Sequence, residues 1–185
     1  MHFFLKISSI IDFVNDAIGV VAGWLMVASC FISCINALIR FTFNVPTYLG
    51  IPVNSWLEVQ WYLFAYCVMF GASHVLRVNE HVRVDVLYGQ YSTKLKVWID
   101  ILGLTFFLIP VMFFIAYLAF PLFWQMFQTH EMSAQAGGLA RWWAMVSLPL
   151  GFGMVSLQGL SELIKRLAWL TGKYEMNLVY ERPLQ

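Results

Sequence analysis

The chain has 185 residues, 61% hydrophobic and only 11% charged, with a formal net charge of +1 and a mean hydropathy of +0.72. A soluble domain carries roughly 25% charged residues, so these proportions exclude an ordinary water-soluble globule and describe an integral membrane protein. With no basic stripe and almost no net charge, no nucleic-acid partner is expected.

Taken in order, residues 3–16 place Phe4, Ile7, Ile11 and Val14 on one helical face, with Lys6, Ser8, Ser9, Asp12 and Asn15 elsewhere. This predicts a short amphipathic helix at the membrane surface. Residues 18–39 are free of charge and long enough to cross ~30 Å of hydrocarbon, so they form the first span. Val27-Ala28-Ser29-Cys30 loosely resembles a lipoprotein cleavage box. The segment before it is barely basic and the apolar run continues past it, which argues against a cleaved leader. Cys30, Cys34 and Cys67 all fall inside apolar runs and read as small apolar fillers.

Pro46, Gly50 and Pro52 mark residues 40–54 as a loop. The second span covers about residues 55–76, with Trp56, Trp61 and Tyr62 suited to the interfacial aromatic belt. Charge then clusters in residues 77–100, the hinge between two membrane hairpins. There His81, Arg83 and Asp85 alternate with valines, and Val84, Leu87, Tyr91 and Leu95 fall at helical spacing. The pattern predicts a short interfacial helix. Its charges either pair locally at the headgroups or form a docking surface for another membrane subunit.

The third span is placed at about 98–125, inside an uncharged run, 101–129, that rises ~43 Å as a helix. It is longer than the hydrocarbon core, so it should tilt, project, or kink at Pro110 or Pro121. Residues 130–141 form a second loop, broken at Gly137-Gly138. The fourth span covers about 142–162, and 163–185 is a polar tail. The expected fold is one all-α integral membrane domain of four transmembrane helices, with short amphipathic interfacial segments. Nine of the eleven Lys and Arg residues lie in the N-terminal segment, the hinge and the tail, so the positive-inside rule puts both termini in the cytoplasm.

In lipid, small and polar residues mark faces that meet protein. Such stripes run through Gly19, Ala22, Met26, Ser29, Ser33, Asn36 and Arg40 on the first span. They recur through Gln60, Phe64, Cys67, Gly71 and His74 on the second, and through Ser147, Gly151, Met154, Gln158, Ser161 and Lys165 on the fourth. The third has none and looks lipid-exposed. These stripes either hold the four helices together or offer a shared face to a partner.

Candidate chemistry is sparse. Glu58 lies at the outer end of the second span, Asp100 and Glu162 at inner ends, and His74 within a turn of the inner boundary. A carrier would place charges, broken helices or repeats near the midplane, and a haem site would need histidines on facing helices. No catalytic triad, phosphate loop or metal cluster is evident, so neither an enzyme nor a resident cofactor is expected.

Four spans with inner termini, Glu58 opening the second, Gly71-Ala72 late in it, and the run Asn79-Glu80-His81-Val82-Arg83-Val84-Asp85-Val86-Leu87 together resemble one known family. It is the small, DctQ-like membrane subunit of tripartite ATP-independent periplasmic (TRAP) transporters. Ala136-Gly137-Gly138-Leu139 and Leu157-Gln158-Gly159 add a looser likeness to members of organic-acid systems. The resemblance covers roughly residues 13–168. It implies a bacterial inner-membrane complex for uptake of an organic acid anion. In it a periplasmic binding protein captures the anion, and a large membrane subunit, the one expected to bind sodium, moves it inward. The small subunit is then an accessory scaffold, with the exterior loops contacting the loaded binding protein. His81, Arg83 and Asp85 are the residues assigned as anchor or subunit contact, followed by Glu58 and Gln60. The competing readings are a self-sufficient oligomeric channel or carrier and a membrane-bound electron-transfer subunit.

Overall fold

A computed structural model describes residues 2–43, 47–78, 91–135, 137–172 and 174. Among these residues four helices are long and apolar enough to cross a membrane. The first, α1, runs unbroken over His2–Phe43. The surface helix expected at residues 3–16 is therefore the first part of α1 rather than a separate element. Its polarity is also turned inward: Ser8 and Asn15 are buried, while Phe3, Phe4, Ile10 and Phe13 are exposed. An amphipathic helix on a membrane surface would instead keep Ser8 and Asn15 in water.

After α1, Thr47–Tyr48 (β1) pairs antiparallel with Ile51–Pro52 (β2). Leu49 and Gly50 both take positive φ in the two-residue turn between them, the backbone that tight hairpins need. Helix α2 covers Val53–Val78. The third membrane helix is continuous over Thr93–Thr129 and comprises α3 (Thr93–Gly103), a π-helical turn at Leu104–Leu108, and α4 (Ile109–Thr129). Pro110 has no N–H and its ring crowds the carbonyl four residues back. The widened turn stands just before it, with the Ile109 N–H reaching back to the Leu104 carbonyl, so the chain absorbs the proline without ending the helix. Helix α4 then continues through Pro121. His130 closes α4 in the left-handed region, and a short helix, α5 (Trp142–Met145), leads into α6 (Ser147–Leu170).

Helix α6 is the centre of the bundle, packing on α1, on α2 and on the third helix. Its small residues permit this. A Cβ on Gly151 would come within 2.6 Å of Met69 Cβ, and one on Gly159 within 2.7 Å of Leu108. Gly19 of α1 is similarly closed over by the His74 ring. The stripes are thus largely spent within the chain: Ala22, Ser29 and Asn36 on α1, and Ser147, Gln158 and Ser161 on α6, are buried. The α2 stripe divides. His74 faces α1, whereas Phe64 is exposed and a side chain at Gly71 would meet open space. Apart from its contacts with α6 and α5, the third helix turns Phe106, Phe107, Phe113 and Tyr117 outward.

Candidate functional site

The charged residues of the helices collect in two layers. Along α2, Glu58 and Arg77 are 19 residues apart, a rise of ~29 Å that matches the ~30 Å hydrocarbon core. Formal charge is absent between Asp16 and Arg40 on α1, and likewise between Asp100 and Glu131 on the third helix and between Arg141 and Glu162 on the fourth.

One layer joins all four helices through an ionic network that is buried around Lys165 and Arg166 and half-exposed at Asp16 and Arg77. Lys165 of α6 reaches Asp12 of α1 at 2.6 Å and Glu162 at 2.8 Å. Arg166 bonds Glu162 at 2.6 Å and Asp100 of α3 at 3.1 Å. Arg77 of α2 pairs with Asp16 and lies 3.9 Å from Asp12, while His74 Nδ1 lies 3.5 Å from Asp16. Deeper by a turn, Gln158 is fully buried. It accepts from Asn15 and donates to Asp12 at 3.0 Å. Ser8 and Ser161 share a hydrogen bond of 2.7 Å, and Ser161 donates to Asp12 at 2.9 Å.

Charges at a membrane boundary survive only when paired or hydrated. Here four carboxylates (Asp12, Asp16, Asp100 and Glu162) are interleaved with three cations (Arg77, Lys165 and Arg166), and Asp12 alone accepts from three different side chains. Such an arrangement fixes helix register.

The opposite layer fastens the 130–141 loop. Glu58 is buried and its Oε2 accepts the Leu139 N–H at 2.6 Å. Its Oε1 is buried without a hydrogen-bond partner. Ser55 donates to the Gly137 carbonyl, where φ is +75°, and Tyr66 donates to the Trp143 carbonyl at 2.6 Å. Arg141 and Glu131 close the loop at 2.6 Å on the exposed side.

Of the residues singled out in the sequence, Glu58 faces inward and holds this loop. Gln60 is half-buried, and its backbone carbonyl accepts from Ser29 at 3.1 Å. His81, Arg83 and Asp85 lie outside the described residues. The residues that sequence reasoning overlooked are Asp12, Asn15 and Asp16. The surface-helix expectation puts Asp12 and Asn15 on its polar side, although Ser8, Asp12 and Asn15 follow the same three-four spacing as Gln158, Ser161 and Lys165.

Residues 29–168, most of the chain, match the family described as tripartite ATP-independent periplasmic transporters, DctQ component. No curated protein and no solved structure matches. The chain belongs to the DctQ family and is a small permease subunit of a TRAP transporter.

Proposed function

We propose that this DctQ-family subunit is a non-catalytic scaffold in the bacterial inner membrane. It stiffens and widens the stationary part of a large membrane subunit that carries an organic acid anion inward with sodium, after capture by a periplasmic binding protein. The observation that carries this reading is the closure of the ionic network. Its charged side chains grip one another across four helices rather than converging on an open midplane cavity, as a substrate or ion path would require. A structure spending its polar groups on rigidity suits a frame against which another protein moves.

In this reading the network end, with Arg77, Lys165 and Arg166, faces the cytoplasm, in keeping with the Lys and Arg bias. The loop held by Glu58 and Ser55 faces the periplasm, where its fixed shape offers a contact for the loaded binding protein. His81, Arg83 and Asp85 are proposed to anchor the connection between the hairpins against the large subunit.

Co-expression of the chain with a large TRAP membrane subunit from the same genome tests the reading. A stable complex recovered through a tag on either protein is the expected outcome. Failure to associate, with both proteins folded, overturns it.

A further inference from the structure

Helix α1, the β1–β2 hairpin and the start of α2 leave a small cavity of about 190 Å³, lined by Ile32, Ile35, Asn36, Ile39, Tyr48 and Trp56. Ile35 and Tyr48 are the most exposed of the six, so the mouth lies between them. Pockets that take a whole drug-sized molecule measure roughly 300–1,000 Å³. This one has room for a single segment of a larger ligand.

Asn36 is the anomaly in its wall. Ser8, Asn15, Ser29 and Asn36 fall at multiples of seven along α1 and are all buried. The first three bond the neighbouring helices, Ser8 to Ser161, Asn15 to Gln158 and Ser29 to the Gln60 carbonyl. Asn36 is only 6% exposed, yet its amide makes no hydrogen bond among the described residues. Trp56 Nε1 is likewise buried without a partner. An unpaired buried amide is costly, and a ligand that pairs it removes that cost. No charged side chain lines the cavity, so the group bound there is neutral.

The depth of the cavity narrows the choice of ligand. Helices α1 and α2 run antiparallel, with Gly19 against His74 and Ser29 against Gln60. Asn36, seven residues past Ser29, therefore lies level with the start of α2, beside Trp56 and just outside Glu58. That is the edge of the ~30 Å hydrocarbon core, the depth at which phospholipid ester carbonyls sit. From there Ile35 and Ile32 continue the wall toward the midplane, where an acyl chain leads.

We infer that this cavity binds the glycerol-ester segment of an outer-leaflet phospholipid, the Asn36 amide donating to an ester carbonyl and the attached acyl chain lying along Ile35 and Ile32. The inference does not depend on the scaffold reading. Asn36→Leu keeps the side-chain volume and removes the donor. Because the amide is not spent within the bundle, this change should not lower the melting temperature. Ile35→Trp keeps Asn36 and fills the mouth from a half-exposed position.

The full chain, purified in mild detergent, is offered equal amounts of dioleoyl phosphatidylethanolamine and its dialkyl ether counterpart, which has the same headgroup and chains but no ester carbonyl. Native mass spectrometry reads which lipid is retained. The wild type should prefer the ester lipid about fivefold, the value of one hydrogen bond. Asn36→Leu and Ile35→Trp should each retain the two lipids equally. Equal retention by the wild type would leave the cavity to water and overturn the inference. A preference that survives either substitution would place the discrimination elsewhere and overturn it too. So would a lowered melting temperature for Asn36→Leu, since the amide would then be serving the bundle.

Discussion

The Lys165 ammonium of the last helix lies 2.6 Å from the Asp12 carboxylate of the first, closing the bundle between residues 153 positions apart in sequence. Both side chains are largely buried, so the pair cannot be traded for water at little cost. Removing one partner strands the other, and such losses run to about 3–5 kcal/mol. Lys165→Met should lower the melting temperature of the purified chain strongly. Lys165→Met with Asp12→Asn should recover part of the loss, because the stranded charge is gone. A double-mutant cycle by thermal unfolding in detergent checks this, and strict additivity would deny the coupling.

Gln158 should behave as a hydrogen-bonding hub rather than as filler. Its amide serves both Asn15 and Asp12, so Gln158→Leu keeps the volume but removes the acceptor of Asn15 and one of the donors to Asp12. The expected cost is about 1–3 kcal/mol. Asn15→Leu added to it should cost little more, since the hydrogen bond they share is already lost.

Two glycines of α6 separate packing from propensity. A Cβ on Gly151 would sit 2.6 Å from Met69 Cβ and 3.1 Å from its Cα, whereas one on Gly153 meets nothing within 4 Å. Gly151→Val should therefore push α6 off α2 and destabilise the chain by about 1–3 kcal/mol. Gly153→Val should be close to neutral. Equal effects at the two positions would remove the case for a close α2–α6 contact.

The Glu58 carboxylate should act on the loop and leave the bundle intact. Glu58→Ala deletes the acceptor of the Leu139 N–H, so hydrogen exchange at that amide and protease cleavage within residues 130–141 should both rise. Helical content should not change. Unaltered exchange at Leu139 would show that the loop is held by its other contacts.

The apolar runs made the four spans legible, because lipid allows few alternatives to a continuous helix. The loop at Gly137-Gly138 and the turn at Gly50 were equally visible, since positive φ favours glycine. What stayed hidden was the direction of a polar face. Asp12 and Asn15 look the same in sequence whether they meet water or Gln158, and only the antiparallel pairing of α1 with α6 decides between the two. Of the stripe on α1, Gly19, Ala22, Ser29 and Asn36 turn toward protein, whereas Met26 and Arg40 are exposed. That its protein is this chain's own α2 and α6 depended on contacts far apart in sequence. Pro110 announced a disturbance in the third helix, but not that a π turn would absorb it.

Solute movement in proteoliposomes tests the central claim most directly. Vesicles holding this chain alone, given a sodium gradient and a panel of candidate organic acids, should accumulate no more than protein-free vesicles. Vesicles holding it with the large subunit, and supplied with loaded binding protein, should accumulate solute. Sodium-driven accumulation by the chain alone would contradict the account.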